Sequence, residues 1–226
     1  MRVVIAGGHG KIALRLARQL ADHGDKPVGL IRNPAHIAEV QAAGAEAVLA
    51  DLEQVGAQEI AAVLSGADAV VFAAGAGPGS GAARKDTVDK GASVLLADAA
   101  QATGVRRFVQ ISSMGAGRPP APGRDEVWAA YINAKTEAEN DLRRRDLDWT
   151  VLRPGRLTDE PGTGLVTLAV PPAQPAQPRS PGEVSRDDVA AVIVALLSEP
   201  AASQLTAELV GGETPIDAAI RALSGR

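Results

Sequence analysis

The sequence has 226 residues, of which 46% are hydrophobic, and a formal net charge of −4 at pH 7. This length suits one α/β domain with its own core, and the absence of cysteine excludes disulfides and thiolate metal sites. The small negative charge without a basic run argues against binding of nucleic acid, and no apolar stretch reaches the about 20 residues that span a bilayer.

Strand and helix patterns alternate along the chain, as is typical of a parallel sheet covered by helices on both faces. Apolar runs predict strands at residues 3–6, 28–31, 47–50, 69–73, 107–111, 149–153 and 207–210. Helical patterns predict helices at about 11–23, from Pro34 onward, at 58–64, from after Gly81 to 103, at 126–145, at 185–198 and after Pro215. Residues 115–123 and 171–181 are rich in glycine and proline, which predicts loops.

The first predicted strand runs directly into a glycine-rich turn with the sequence GGHGKIA at residues 7–13. The spacing fits G-x-G-x-x-A from Gly8 and G-x-x-G-x-x-A from Gly7. Such a turn lets the backbone approach a pyrophosphate, and the helix that follows presents free N–H groups to it. We therefore predict that Gly7, Gly8 and Gly10 hold a dinucleotide, with His9 beside the pyrophosphate, although an ordinary tight turn also uses glycine.

Arg32 follows the second predicted strand directly, 25 residues after Gly7. An acidic residue near this point binds the ribose 2′-hydroxyl of NAD, whereas an arginine accommodates the 2′-phosphate of NADP. No carboxylate stands at the neighbouring positions, and Asn33 could add a hydrogen bond. We predict a preference for NADP(H) over NAD(H); the alternative is an ordinary surface arginine at a strand end.

Tyr131 and Lys135 lie four residues apart, on one face of a predicted helix. Tyr131 is the single tyrosine of the chain. A nearby ammonium favours the phenolate, which would make the phenol a usable acid or base. Ser112 and Ser113 end the predicted strand at 107–111, where a hydroxyl could orient a substrate carbonyl, although serines at such a position often bond only to the local turn.

Together these residues resemble the atypical, NAD(P)H-binding branch of the short-chain dehydrogenase/reductase superfamily, which includes NmrA-like and flavin-reductase-like proteins. The resemblance covers nearly the whole chain. It is carried by GGHGKIA at 7–13, IRNP at 31–34, ADL at 50–52, FAAG at 72–75, FVQISS at 108–113, Tyr131-x-x-x-Lys135, LRPGRLT at 152–158 and SRDDVA at 185–190.

The resemblance implies roles for individual residues along a bound cofactor. Ser113, Tyr131 and Lys135 match the catalytic serine, tyrosine and lysine, and Lys135 would also bind the nicotinamide ribose. Asp51 and Leu52 would lie beside the adenine, and Ala73, Ala74 and Gly75 along the adenosine ribose. Pro154, Gly155, Arg156 and Leu157 would flank the nicotinamide carboxamide, and the remaining cofactor contacts would come from Lys11, Ile12, Ile111 and Ser112.

We therefore expect one doubly wound, parallel-sheet Rossmann-like domain over residues 1–226, with small substrate-side elements at about 154–185 and 211–226. The expected function is an NADPH-dependent oxidoreductase that acts on a small carbonyl, quinone or flavin-like acceptor. A non-catalytic NADP(H) sensor and an NAD(P)-dependent sugar epimerase or dehydratase remain open. We expect a small-molecule substrate, no metal, no nucleic-acid or membrane partner, and a monomer or homodimer.

Gly7 and Gly8 interrupt the N-terminal apolar run after a few residues, which argues against a secretion signal. We therefore expect a cytoplasmic protein. The abundance of alanine and arginine over lysine is typical of a G+C-rich bacterial source.

Overall fold

The computed structural model describes residues 1–77, 79–119, 125–171 and 182–225, and its largest element is a sheet of nine strands. In chain order these strands are β1 (Arg2–Ala6), β2 (Lys26–Ile31), β3 (Glu46–Leu49), β4 (Ala69–Phe72), β5 (Arg107–Ile111), β7 (Asp148–Pro154), β9 (Leu165–Ala169), β11 (Leu205–Gly211) and β12 (Thr214–Pro215). A second sheet pairs β8 (Arg156–Thr158) with β10 (Glu183–Ser185), and β6 (Met114–Gly117) is a further short strand.

Helices connect the strands of the large sheet. They are α1 (Lys11–Asp22), α2 (Ile37–Ala42), α3 (Ala57–Leu64), α4 (Ala82–Arg84), α5 (Ala92–Thr103), α6 (Glu126–Arg143), α7 (Arg186–Leu197) and α8 (Ile216–Ser224). Short 3₁₀ helices span Pro34–His36 and Pro200–Ala202, and a π-helix at Lys85–Gly91 joins α4 to α5. Within the described ranges, no helix is both long and apolar enough to cross a lipid bilayer.

Seven neighbouring strands of the large sheet run parallel, in the order β3-β2-β1-β4-β5-β7-β11. Strand β9 adds antiparallel to β11, and β12 completes that edge. Strands β2 and β3 are added in sequence on one side of β1, and the chain then crosses over so that β4 pairs with the other side of β1. This reversal opens a crevice at the carboxyl ends of β1 and β4, where such sheets bind ligands. The doubly wound α/β fold predicted from the sequence is confirmed.

Helices cover both faces of the sheet, so its central strands are apolar on both sides. Successive residues of β1 enter different cores: Val3 and Ile5 pack on the side of α1, α7 and α8, whereas Val4 packs on the side of α3 and α5. Phe72 and Phe108, on β4 and β5, are fully buried in the second core. This layering holds the strand ends, and the side chains that follow them, in fixed positions.

The structure differs from the sequence prediction mainly in its short elements. Strands β6, β8, β9, β10 and β12 were not predicted, because segments of two to five residues carry too little periodicity. Part of the loop predicted at 115–123 lies in β6, and residues 120–124 are outside the described residues. The proline-rich loop predicted at 171–181 likewise falls almost entirely outside them. The helix predicted after Gly81 is interrupted by the π-helix.

The glycine-rich turn after β1 passes β2 with the two backbones in contact. A Cβ atom added to Gly8 would lie 2.6 Å from the Cα atom of Gly29, and the Gly8 N–H donates to the carbonyl of Leu30 at 2.9 Å. Gly29 is equally confined, because its own Cβ would lie 3.0 Å from Val40 on α2. The turn therefore keeps its position only while residue 8 has no side chain.

We expect Gly8→Ala to lower the free energy of unfolding by about 1–3 kcal/mol, because the new methyl group overlaps backbone atoms that cannot move separately. Urea denaturation measures the change. Gly91→Ala is the matched control, since Gly91 has helical dihedral angles and a Cβ there would meet its nearest atom at 3.5 Å. The control should be neutral or stabilising, and an equal loss in both variants would contradict the proposed overlap.

Candidate cofactor and active site

A cavity of about 280 Å³ opens at the carboxyl ends of β1, β2 and β4. Its lining includes nine of the residues that the sequence predicted for cofactor binding: Gly7, His9, Gly10, Arg32, Asp51, Leu52, Ala73, Ala74 and Gly75. The cavity therefore joins the glycine turn, the end of β2 and the segments that follow β3 and β4.

The glycine turn fits a phosphate-bearing ligand. Gly7 has a φ of +78°, and a Cβ there would lie 2.7 Å from the Cα of Ala74, so this corner requires glycine. Helix α1 begins after Gly10 with no side-chain cap and no acidic residue in its first turn. By contrast, Asp125 caps α6. The positive end of α1 is thus left to face the cavity, as pyrophosphate binding needs.

Other residues predicted around this turn have different positions. Gly8 is buried against Gly29 and does not line the cavity. The ammonium of Lys11 lies 2.6 Å from Asp159, and Ile12 packs against the core beneath α1.

Two histidines stack at one side of the cavity. The rings of His9 and His36 have centroids 3.5 Å apart and are nearly parallel, and His9 Nε2 lies 2.6 Å from a carboxylate oxygen of Glu39. Asn33, predicted to bond the cofactor phosphate, instead accepts a hydrogen bond from the N–H of Ala35 at 3.0 Å and caps the short 3₁₀ helix. Its side-chain oxygen is therefore already used within the chain.

Arg32 lines the cavity, and a carboxylate that is distant in sequence approaches it through the fold. Glu53, beyond β3, has its Oε2 atom 3.6 Å from Nη1 of Arg32. The same Oε2 lies 2.5 Å from Nη2 of Arg84 on α4, and the hydroxyl of Thr87 donates to Oε1 of Glu53 at 2.7 Å. Only the neighbours of Arg32 along the chain are free of carboxylates.

The hydrogen bond from Arg84, followed by that from Thr87, holds the pKa of Glu53 below its ordinary value. Glu53 therefore stays ionised at neutral pH. The bond to Glu53 in turn raises the pKa of Arg84. This ionic cluster forms the outer wall of the cavity.

Tyr131 and Lys135 both lie on α6, but Lys135 has a partner that the sequence did not predict. Its ammonium lies 3.2 Å from Oδ1 of the buried Asp89 on the π-helix and donates to the carbonyl of Ile111 at 3.3 Å. It sits 5.9 Å from the centroid of the Tyr131 ring, and the ammonium of Lys85 sits 5.4 Å from it. The half-buried tyrosine is thus flanked by two ammonium groups.

Asp89 connects this pair to the cavity. Its Oδ2 atom accepts a hydrogen bond at 3.1 Å from the N–H of Ala76, next to the cavity-lining Gly75. A Cβ on Gly75 would lie 3.1 Å from Oδ1 of the same carboxylate. Lys135 is therefore linked through Asp89 to the segment that lines the predicted cofactor cavity, and Tyr131 lies beside Lys135.

The two serines after β5 have different surroundings. Ser112 is buried and donates to Oε1 of Glu139 at 2.5 Å, so its hydroxyl belongs to an internal network. The hydroxyl of Ser113 lies 3.4 Å from the carbonyl of Met114, a weak local contact. These surroundings favour Ser113 over Ser112 as the serine available to a substrate.

Glu139 is fully buried on α6 and accepts several charged hydrogen bonds besides that of Ser112. Arg153 of β7 donates to it through Nε at 2.9 Å and Nη2 at 2.5 Å, and Arg143 donates at 2.7 Å. The carboxylate thereby fixes the end of β5 and the end of β7 to α6.

The four residues predicted to flank the nicotinamide, 154–157, run from β7 into β8 and are not among those that line the cavity. Pro154 ends β7, the N–H of Gly155 donates to the carbonyl of Leu209 at 2.9 Å, and Leu157 lies on β8. Arg156 is exposed and pairs with Glu183 across the small sheet. The Arg156 side chain is therefore paired within the small sheet and does not line the cavity.

Sequence reasoning missed five residues of this region. The pairing of Glu53 with Arg84 could not be predicted, because the two residues are 31 positions apart in the sequence. Lys85 and Asp89 lie in a segment whose sequence pattern predicts an ordinary α-helix and gives no sign of their contacts. Glu139 lies four residues after Lys135, and that spacing alone could have placed it on the same face of α6. In the described ranges, no group of three or more His, Asp or Glu side chains could hold a metal ion.

Comparison with known proteins gives a consistent family assignment. The sequence model of a family described as NAD(P)H-binding matches residues 7–200. A Bacillus subtilis (strain 168) protein named "uncharacterized sugar epimerase YhfK" is 35% identical over 99% of this chain and 100% of that protein. A putative NAD-dependent epimerase/dehydratase from Bacillus halodurans superposes with a TM-score of 0.85 at 33% identity, over 96% of this chain and 97% of the other. The oxidoreductase ylbE from Lactococcus lactis superposes with a TM-score of 0.84 at 26% identity, over 100% and 98%.

The buried charges of α6 can be tested without any ligand. We expect Glu139→Gln to lower the free energy of unfolding by about 3–5 kcal/mol, because it leaves buried guanidinium charge without its counterion. Glu137→Gln is the control on the same helix, since Glu137 is exposed and its pair with Lys90 should contribute less than about 1 kcal/mol. Similar midpoints in urea for both variants would rule out this role for Glu139.

Proposed function

The chain belongs to the NAD(P)H-binding family, and from this premise we propose that it is an NADPH-dependent oxidoreductase. Its substrate is a small carbonyl, quinone or flavin-like acceptor. The observation that carries the proposal is the continuity of the site: the wall of the cavity runs from the glycine turn to Gly75, which lies against Asp89, and the Asp89 carboxylate pairs with Lys135 beside Tyr131. Such a wall fits a ligand with a phosphate at one end and a reacting group at the other.

Each part of the wall has a distinct task. The N–H groups at the start of α1 bind the pyrophosphate, and Arg32 binds the 2′-phosphate. Lys135 positions the nicotinamide ribose, with Asp89 and the carbonyl of Ile111 holding its ammonium in place. When bound, the nicotinamide supplies hydride to the acceptor.

The protein's own contribution to the reaction is proton transfer and orientation. Tyr131 gives a proton to the acceptor oxygen, and the two ammonium groups beside its ring stabilise the phenolate that remains. Ser113 orients that oxygen through its hydroxyl. Ser112 donates its hydroxyl proton in a hydrogen bond to Glu139 and maintains the geometry of the strand end.

A sugar epimerase or dehydratase is the second candidate, and the names of the YhfK relative and the Bacillus halodurans structure favour it. An epimerase regenerates its nicotinamide within each cycle, so the cofactor would stay bound through purification. A reductase must exchange the cofactor with solution. Denaturing the purified protein before and after dialysis, and identifying any released nucleotide by chromatography, separates these two functions.

A cofactor sensor is the third candidate. It would use the same phosphate-binding residues but would not need a free acid, and the buried pairing of Lys135 with Asp89 is compatible with a purely structural lysine. A sensor should bind NADPH without consuming it for any acceptor. The Tyr131 variant described below distinguishes it from an enzyme.

We expect the protein to bind NADPH more tightly than NADH, and Arg32→Ala to remove most of that preference, because the guanidinium pairs with the 2′-phosphate. Isothermal titration of each nucleotide into the apoprotein measures both affinities. Arg18→Ala is the control, since Arg18 is an exposed arginine on α1 away from the cavity lining. Equal affinities in the wild type would remove Arg32 from this role, and absence of binding to both nucleotides would overturn the proposed function.

We expect Tyr131→Phe to lower kcat by roughly 10²–10⁴, the contribution of one acid–base group, with little change in the affinity for NADPH. Acceptors are first screened with the wild type by the loss of NADPH absorbance, and the variant is then compared on the best of them. Glu137→Gln, an exposed change on the same helix, should keep wild-type turnover. Unchanged kcat in Tyr131→Phe would mean that the phenol is not the proton donor.

A further inference from the structure

We infer that Glu53 and Arg84 set the choice between NADPH and NADH: Glu53 competes with the cofactor 2′-phosphate for Arg32 and Arg84, and Arg84 is the second cation of the phosphate site. This inference rests on the proposed function, because it concerns the same cofactor cavity. It adds two residues that the glycine and Arg32 motifs do not contain.

The geometry of the cluster shows why these groups act together. Both guanidinium groups converge on one atom, Oε2 of Glu53, at 2.5 Å from Arg84 and 3.6 Å from Arg32. The three residues come from separate segments, after β2, after β3 and from α4, and all of them line the cavity. An anion placed where that carboxylate oxygen lies would contact both arginines at once.

A phosphate matches this position better than a carboxylate does. It carries more negative charge and has three oxygens, so it can bond to both guanidinium groups simultaneously. Arg32 and Arg84 are respectively 58% and 36% exposed, which lets them turn toward a ligand, whereas Glu53 is also held by Thr87. A 2′-phosphate must therefore displace or repel Glu53 before it gains the two cations.

NADH would place a hydroxyl group, and not a phosphate, beside Glu53 and the two arginines. Its ribose 2′-hydroxyl is neutral and can donate a hydrogen bond to an acidic side chain without disturbing the arginines. Asp51 and Glu53 together balance the charge of Arg32 and Arg84 in this wall of the cavity. The ratio of NADPH to NADH affinity should therefore be lower in the wild type than it would be if the two arginines had no carboxylate beside them.

The test measures the dissociation constants of NADPH and NADH by isothermal titration for the wild type, Glu53→Gln and Arg84→Met. We expect Glu53→Gln to raise the ratio of NADPH to NADH affinity by about tenfold or more, the effect of freeing one charge-assisted hydrogen bond. We expect Arg84→Met to lower that ratio by about tenfold, mainly through weaker NADPH binding. Glu59→Gln is the control, because it removes the same charge from the neighbouring α3 without touching either arginine.

Each result has one meaning. Opposite shifts of the ratio in Glu53→Gln and Arg84→Met, with Glu59→Gln like the wild type, support the inference. If both nucleotides bind the wild type and either variant leaves the ratio unchanged, the inference is overturned while the proposed function stands. If neither nucleotide binds the wild type, the proposed function fails and the inference with it. A thermal melt of each variant confirms that it is folded at the titration temperature.

Discussion

The site depends on backbone segments that touch without side chains between them. Gly8 packs against Gly29 of β2, and Gly7 packs against Ala74 after β4, so the turn is held between the two neighbours of β1. These contacts fix where α1 begins and leave its uncapped end facing the cavity. If the turn moved outward to admit a side chain, the loop after β4 would lose its support, and that loop carries the N–H that Asp89 accepts.

A second layer of buried charge lies beside α6, next to Tyr131 and Lys135 at the proposed reacting end of the site. Asp89 holds Lys135, and Glu139 holds Ser112 and Arg153. Each carboxylate is almost fully buried and joins elements that are distant in sequence. It therefore holds the side chains around it in fixed positions as well as contributing to the stability of the fold. The cluster around Glu53 at the rim of the cavity is more accessible than these buried groups, and we propose that a phosphate replaces its carboxylate there.

Local signals in the sequence were sufficient to predict the seven parallel strands of the large sheet and the glycine turn after β1. Long apolar runs and a glycine turn are local signals, and the strand from Arg107 to Ile111 and the helix capped by Ser185 lie where those signals predict. The partners of the charged groups were not predictable, because Arg84 reaches Glu53 and Lys135 reaches Asp89 only through the tertiary fold. The short strands β8 and β10 also depend on each other, since neither has a pattern that distinguishes it from a loop.

The π-helix between Arg84 and α5 adds a constraint on the length of this segment. In a π-turn the hydrogen bonds run from i to i+5, so the segment contains one more residue than an α-helix closing the same turn. Lys85 and Asp89 are both buried within it. Removing one residue from Lys85–Gly91 would let the segment close as an ordinary α-helix and rotate everything before it about the helix axis. Arg84 and Asp89 would then no longer face their partners together. The number of residues in the segment is therefore fixed by the two ends of the site that it connects.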